Sequence, residues 1–176
     1  MQPGDRLFAW CEGVLDALEA WEFSNPDGWQ LPERRVIAHG TPALDCELVA
    51  VWCQGTLGYA GDVLITGGGP LNPSAPKSMR TATIGITIAR CDLSASELDI
   101  AANSEAALPS PFSVTETARA TYADQSATMN ALLAATKAGV FGEHQWAPIS
   151  WTPDEPDGGL AASTLLIQVG LVIAPV

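Results

Sequence analysis

Residues 79–91 (MRTATIGITIARC) alternate between two kinds of side chain, and this alternation is the strongest constraint that the sequence places on its fold. Successive side chains of a β-strand point to opposite faces of the sheet, so a strand has a period of two residues. One face here is apolar and the other is small or hydroxyl-bearing: the first has Ala82, Ile84, Ile86 and Ile88, and the second has Thr81, Thr83, Gly85 and Thr87. The segment is therefore predicted to be a strand with one face in the core and the other half-buried.

Two segments have the three- and four-residue spacing of amphipathic helices. The first covers residues 4–21, and its apolar positions are Leu7, Cys11, Val14, Leu18 and Trp21. The second helix is long: Ser113 and Glu116 have the spacing of a capping box at its start, and Gly139 is suited to its end. Its predicted core face consists of Ala118, Tyr122, Met129, Leu132 and Leu133.

Four further segments have the composition of strands, namely residues 34–39, 44–53, 145–151 and 160–173. Residues 44–53 (LDCELVAVWC) carry apolar side chains on both faces, which is typical of an inner strand of a covered sheet. The order is helix, three strands, long helix and two strands. It predicts an α+β fold with one mixed β-sheet of about five strands and two main helices packed on one of its faces.

The chain of 176 residues is expected to form a single domain, residues 1–176, with a flexible Gly/Pro loop at residues 66–78. The first residues do not resemble a signal peptide, because no basic region leads into an apolar run. No stretch approaches the 18 or so uninterrupted apolar residues of a membrane span. We therefore expect a protein without a membrane anchor.

The charge balance excludes one broad class of function. Twenty acidic residues against eight basic ones give a net charge of −12, and the chain lacks the stripe of Lys and Arg that sequence-independent nucleic-acid binding needs. An acidic channel through which DNA passes without sticking remains compatible with this charge. Charged residues make up only 16% of the chain, against about 25% in ordinary soluble domains, which indicates either a surface covered by neighbours or compositional drift.

No segment has a pattern typical of a cofactor or metal site. The glycines of residues 67–69 are followed by three prolines and do not open a helix, as a phosphate-binding loop would require. His39 and His144 have no second ligand at metal-binding spacing. The four cysteines, Cys11, Cys46, Cys53 and Cys91, include no C-x-x-C pair and are expected to be buried and reduced, in line with synthesis in the cytoplasm.

Asp45 and Glu47 lie two residues apart on a predicted strand, so their carboxylates are expected to share a face. Three readings are open: an acid/base pair, an edge that meets basic residues of a neighbour, or a solvated strand edge. No nucleophile elbow and no arrangement of Ser, His and Asp accompanies them. The sequence therefore predicts no catalytic residues.

Arg34 and Arg35 are the densest basic spot of an acidic chain. The guanidinium group is suited to forked pairing with carboxylates. In a ring of identical subunits these arginines would meet acids of a neighbour, chosen from Asp45, Glu47, Asp154, Glu155 and Asp157. The alternative is one exposed charge and one partner within the chain. Trp29 and Trp151 lie beside turns and are the tryptophans most suited to an interface.

Three stretches together resemble the tail terminator proteins of long, non-contractile-tailed phages that infect actinobacteria. They are residues 31–36 (LPERRV), leading through Gly40 to residues 45–48 (DCEL); the alternating strand 81–91; and residues 149–153 (ISWTP) followed by residues 158–161 (GGLA) and a terminal strand. The chain departs from the family in its long loop, residues 66–77, and in a terminal strand without basic residues.

The resemblance implies a virion protein of siphovirus type that is made and assembled in the host cytoplasm. It would form a ring, a homohexamer, on the head-proximal end of the tail tube and stop tube growth. Its partners would be itself, the tail tube protein and the head–tail connector or stopper, with DNA passing through the ring without specific binding. The alternatives are another neck or tube subunit and, in a different class, a monomeric binding module or a hydrolase built on Asp45, Glu47 and a histidine.

Overall fold

The computed structural model describes residues 3–25, 27–53, 58–59, 79–91, 111–142, 145–153 and 160–172. Within them the elements are α1 (Pro3–Ser24), β1 (Arg34–His39), β2 (Leu48–Cys53), β3 (Gly58–Tyr59), β4 (Met79–Cys91), α2 (Pro111–Lys137), β5 (Gln145–Pro153) and β6 (Leu160–Val172). The predicted Gly/Pro loop at residues 66–78 lies outside the described residues.

The described strands form one mixed sheet in the order β1-β2-β4-β6-β5, and the two-residue β3 pairs with β4. β1 runs parallel to β2, and every other pair is antiparallel. The α+β prediction is confirmed, with five main strands and two helices among the described residues. The inner position predicted for the second strand is also confirmed, because β2 lies between β1 and β4.

Both helices pack on the same face of the sheet, as predicted. The alternation of β4 places its isoleucines there, and β2 and β6 add their own apolar residues in matching register. The buried cluster contains Val14 and Leu18 of α1, Leu132 of α2, Val49 and Val51 of β2, Ile84, Ile86 and Ile88 of β4, and Leu165, Ile167 and Val169 of β6. Each such side chain contributes about 1.5–3 kcal/mol by leaving water, so this face holds the main core.

The α2 helix differs from its prediction at its start and on its face. It begins at Pro111 rather than after Ser113, and proline is suited to a first helical position because its missing N–H has no partner there. Tyr122 is 71% exposed and Leu133 46% exposed, so neither belongs to the core face. The buried face is made mostly of small residues, Asp124, Ala127, Thr128, Ala131, Leu132 and Ala135.

The end of α2 is as predicted at Gly139. The Gly139 N–H donates to the Thr136 carbonyl, and the Val140 N–H donates to the Ala135 carbonyl, both at 3.0 Å. These are the two hydrogen bonds of a Schellman motif, and Gly139 has the positive φ of 76° that the motif requires. Phe141 then folds back and stacks on Trp10 of α1, with ring centroids 4.7 Å apart.

The connection between the parallel strands β1 and β2 is unusually short. Residues 40–47, called here the return segment, must run back along the roughly 20 Å length of β1, and fully extended they cover only about 26 Å. Left-handed residues lie at both of its ends: Gly40 has φ 83° and Glu47 has φ 52°. The prediction of a strand over residues 44–53 is therefore wrong for residues 44–47, which belong to the return segment.

Candidate functional site

Charged side chains gather at one end of the sheet, where β1 and β2 begin and β4 ends. The register that pairs Arg34 with Leu48 and Leu48 with Ala89 brings these strand ends together. We call this region the charged sheet end and define it by Arg34, Arg35, Asp45, Glu47 and Arg90. Four of the five were predicted as contact residues from the sequence, and the structure places all of them together.

Arg34 and Asp45 form an ion pair within the chain on the face away from the helices. Asp45 also accepts a hydrogen bond from the Cys46 backbone N–H at 2.8 Å. The side-chain hydrogen bond from Arg34, then that backbone bond and then the arginine charge lower the pKa of Asp45. Both side chains remain more than half exposed, so the pair is open to a further partner.

Arg35 points to the opposite face and is held by α1. It pairs with Glu19, and its Nη2 lies 3.7 Å from Oε2 of Glu22. Glu22 in turn accepts the Leu31 backbone N–H at 3.0 Å. Arg35 is thus engaged with its own chain, and of the two arginines Arg34 is the more available to a neighbour.

Asp45 and Glu47 do not lie together on a strand, which corrects the prediction that their carboxylates share a strand face. The left-handed backbone at Glu47 separates their directions. Asp45 turns to Arg34, whereas Oε2 of Glu47 lies 3.9 Å from Nη1 of Arg90. The two carboxylates contact different arginines, so the geometry of a general acid/base pair is absent.

Arg90 and Asp124 form the buried centre of this region. Arg90 follows the isoleucines on the core face of β4, and Asp124 lies on the buried face of α2 at 3% exposure. The guanidinium Nε donates to Oδ2 at 2.9 Å and Nη2 donates to Oδ1 at 2.7 Å. Trp29 Nε1 donates to the same Oδ1 at 2.7 Å, and Arg90 Nη2 also donates to the Gln30 carbonyl at 2.7 Å.

This network affects the pKa of the Arg90 guanidinium. Burial acts to lower its pKa, but the hydrogen bonds and charge of Asp124, together with the charge of Glu47, outweigh burial and raise the pKa above its ordinary value. The arginine therefore stays charged, and the network joins β4, α2 and the segment after α1. Trp29, predicted as an interface residue, is half-buried and serves this network instead.

Cys46 and Cys91 form a disulfide, which overturns the expectation that all four cysteines are reduced and buried. Their Cα atoms lie 4.8 Å apart, within the usual range for a disulfide. Cys46 is half-buried and Cys91 is exposed. No sequence spacing indicated this pair, because its members are 45 residues apart and meet only when β2 aligns with β4.

The face of the sheet away from the helices is organised by Trp52. A Cβ atom at Gly85 would lie less than 3.0 Å from three ring atoms of Trp52, so the ring lies directly against the glycine. Trp52 Nε1 donates to Thr87 Oγ1 at 2.9 Å, and Thr87 and Thr164 share a hydrogen bond at 2.9 Å. The small, hydroxyl-bearing side of β4 thus seats an aromatic ring and binds its nitrogen.

Trp151, another predicted contact residue, packs against the main core from β5. A bulge between Pro148 and Ser150 lets both Trp146 and Trp151 face the helices although they are five residues apart. Trp146 Nε1 donates to Thr136 of α2 at 2.7 Å. Trp151 is therefore packed against the core of its own chain.

The remaining predicted contact residues, Asp154, Glu155 and Asp157, lie outside the described residues, as does His144. Their flanking strand ends are described: Pro153 pairs with Ser163, and Leu160 pairs with Cys91 at the end of β4. The described strand ends that flank residues 154–159 therefore lie at the same end of the sheet as the charged sheet end. β1, which begins at Arg34, and β5, which ends at Pro153, are the two opposite edge strands of the sheet.

In the described part of the chain, no group of three or more His, Cys, Asp and Glu residues is placed to hold a metal ion. Neither of the helices found there combines the length and the apolar character needed to cross a bilayer. No protein-family model matches the chain, and a comparison with curated proteins finds no match.

The arrangement is suited to charge-mediated contact. Arg34 at the start of β1 and Asp45 on the return segment offer exposed, opposite charges. Sequence reasoning found these residues but missed Arg90 and Asp124. One signal was present: Arg90 occupies the next core-face position after Ile84, Ile86 and Ile88, and a charge at such a position needs a buried partner.

Proposed function

We propose that this chain is a structural protein of a phage virion, a tail terminator. It forms a hexameric ring on the head-proximal end of the tail tube, stops tube polymerisation and joins the tail to the head–tail connector. The proposal assigns it no catalytic step. It rests on the resemblance of residues 31–48, 81–91 and 149–161 to that family, and the order of helices and strands in the fold supports it.

The observation that carries the proposal is the exposed Arg34 at the β1 edge of the sheet, together with an acidic sequence that follows the strand at the opposite edge. β1, with Arg34 exposed, is one edge, and β5, which leads into Asp154, Glu155 and Asp157, is the other. A ring needs two different, complementary patches on each subunit. Strands are spaced about 4.8 Å apart, so the order β1-β2-β4-β6-β5 separates the edges by about 19 Å. In this proposal Arg34 of one copy and the acidic sequence that follows β5 of the next copy supply such a pair.

Both edges are also unsuited to joining copies by strand pairing. β1 carries two exposed arginines, and β5 contains Pro148, a bulge at Ile149 and a final Pro153. Charged residues, prolines and bulges at edges prevent backbone pairing between chains. Side-chain contacts between neighbouring edges, rather than a continuous sheet, therefore join the subunits in this proposal.

The net charge of −12 fits a ring through which DNA moves without being held. Phosphate groups are repelled by an acidic lining, so the passing duplex meets no specific site. The pairing of Asp45 with Arg34 favours its ionised form, which is unsuited to a general acid. Asp45 and Glu47 also contact different arginines, which disfavours a hydrolase in which the two carboxylates act as a pair.

The test is immunogold electron microscopy with an antibody against this chain, on tailed phage particles encoded by the same genome. We expect gold at the head–tail junction only. A nonsense mutation in the gene is expected to produce overlong tails, which separates a terminator from a neighbouring connector protein. Gold along the shaft would identify a tube subunit, and particles without gold would point to a binding protein outside the virion; either result overturns the proposal.

A further inference from the structure

We propose that Cys46 and Cys91 are a reversible thiol–disulfide exchange site whose redox state sets the position of the return segment. The site takes low-molecular-weight thiols and disulfides of the glutathione class. The inference goes beyond the proposed function and does not depend on it.

The two cysteines lie at matching positions of the β2–β4 ladder. Leu48 pairs with Ala89, so two residues before Leu48 and two after Ala89 bring Cys46 opposite Cys91. Their Cα separation of 4.8 Å is close to the 4.5 Å or so of antiparallel neighbours without mutual hydrogen bonds, whose side chains approach most closely. The pair lies beyond the last residues of the paired ladder, so opening it leaves the ladder itself intact.

Small molecules can reach the pair. Cys91 is exposed and Cys46 is half-buried, and exchange requires that a thiolate approach one sulfur of the bond. Disulfides of this exposed kind are the labile ones, whereas structural disulfides resist reduction by the glutathione pool.

The pair anchors a short and strained connection. Each residue of the turn 45–47 contacts a neighbouring strand: Asp45 contacts Arg34 of β1, and Cys46 is bonded to Cys91. Glu47 lies near Arg90, and its carbonyl accepts the Arg34 backbone N–H at 3.0 Å. Glu47 holds a left-handed backbone, which is uncommon for a residue with a side chain. The covalent bond lies between these non-covalent contacts, so after its loss only the non-covalent contacts hold the turn that presents Asp45.

The other two cysteines do not compete for this pairing. Cys11 is buried on α1, and burial raises the pKa of its thiol to about 12, so it stays protonated. Cys53 is at the far end of β2, in register with Ile84 on the helix-facing side of the sheet. Cys46 and Cys91 therefore exchange with small molecules and with each other.

The chemistry balances as two exchange steps with a small disulfide, RSSR, as oxidant. The Cys91 thiolate attacks one sulfur of RSSR, forms a mixed disulfide and expels RS⁻. The Cys46 thiolate then attacks the Cys91 sulfur and expels the second RS⁻. The protons that the two cysteine thiols lose on ionisation pass to the two RS⁻ leaving groups, so the protein gains one disulfide and RSSR becomes two RSH. The reverse sequence opens the pair.

The experiment equilibrates the full-length native protein in mixtures of reduced and oxidised glutathione and then blocks free thiols with N-ethylmaleimide. Peptide mass spectrometry reads each cysteine. We expect Cys46 and Cys91 to pass together from maleimide-labelled to disulfide-linked as the oxidised fraction rises, and back again when it falls. Compared with the oxidised protein, the reduced protein should show faster hydrogen exchange of the backbone amides at residues 45–48 and 91. The exchange of amides that are hydrogen-bonded between β4 and β6 should be unchanged.

Variants make the outcome specific. In Cys91→Ser, Cys46 should be either maleimide-labelled or held as a mixed disulfide with glutathione, and never linked to another cysteine. The same variant should show fast amide hydrogen exchange at residues 45–48 without reductant. Cys53→Ser is the matched control and should keep the reversible Cys46–Cys91 disulfide. The proposal is overturned if the native protein resists reduction until it unfolds, or if both cysteines stay labelled in oxidised glutathione. It is also overturned if reduction removes protection throughout the β4–β6 ladder, because the effect would then be global.

Discussion

Arg90 and Asp124 form a bidentate ion pair that joins the end of β4 to the middle of α2. The guanidinium Nε and Nη2 lie 2.9 and 2.7 Å from the two carboxylate oxygens, and the Asp124 side chain is 4% exposed. A buried charge is tolerated only when an opposite charge and hydrogen bonds replace its water. Trp29 and the Gln30 carbonyl complete that replacement, so the pair determines how α2 sits on the sheet.

The first prediction concerns this pair. Asp124→Ala should lower the free energy of unfolding by about 3 kcal/mol or more, because it leaves the Arg90 guanidinium partly buried without its counter-charge. The matched control is Glu116→Ala, which removes the exposed partner of Arg119 on the same helix and should cost less than about 1 kcal/mol. Urea denaturation measures both. Equal losses for the two variants would contradict a special role for Asp124.

The contact between Gly85 and Trp52 gives a second prediction. Gly85→Ala should destabilise the fold by about 1–3 kcal/mol, because the new methyl group meets a ring that is 5% exposed and bonded to Thr87. In a Trp52→Ala background the same substitution should cost close to nothing. A double-mutant cycle by chemical denaturation measures the coupling. Additive losses would show that the two residues do not meet.

Burial of Cys11 predicts a dependence on alkaline pH. Its pKa is raised from 9.0 to about 12, so its stabilising effect is complete below pH 9 and is lost as the pH rises toward 12, where the unfolded thiol ionises and the folded one does not. The difference in unfolding free energy between wild type and Cys11→Ala should fall by about 1.4 kcal/mol per pH unit in that window. A constant difference would rule out a buried, protonated thiol.

The exposed pair of Arg34 and Asp45 tests the ring proposal. Arg34→Glu with Asp45→Arg reverses both charges and preserves the pair within the chain, so the unfolding free energy should change by less than about 1 kcal/mol. Ring formation on tail tubes should nevertheless be lost. The new carboxylate at position 34 would face the acids of the next copy, so the contact would become repulsive. Electron microscopy of capped tubes reads this out. Normal capping by the folded double variant would remove the β1 edge from the interface.

The same pair gives a prediction in acid. The hydrogen bond from Arg34 holds the pKa of the Asp45 carboxyl below its ordinary value. The ion pair is therefore complete when the pH is above the ordinary pKa of an aspartate, and it is lost as the pH falls through the lowered pKa of Asp45. Arg34→Gln should move the pKa of Asp45 upward. Carbon-detected NMR titration of the carboxyl group measures the shift, and an unchanged midpoint would mean that the two side chains do not interact in solution.

Regular elements could be predicted from the sequence because their signals are local. The alternation of residues 79–91 and the spacing of Leu7, Val14 and Leu18 each report a repeating geometry within one segment, and β4 and α1 lie where these patterns predict. The core face of α2 was predicted only in part: Leu132 is buried and Met129 packs against the core, whereas Ala118, Tyr122 and Leu133 are exposed. The buried face of α2 contains Asp124, which is expected to be exposed unless its partner Arg90, 34 residues away, is known.

The amino-acid sequence by itself determined the class of fold, the inner position of β2, the helix-covered face of the sheet and the end of α2 at Gly139. The tertiary structure alone decided which charged groups meet, that Cys46 bonds to Cys91, and that residues 44–47 leave the strand. Periodicity can be read from neighbouring residues. A contact between residues 34 or 45 positions apart forms only when the strands pair in their final register and bring distant segments together.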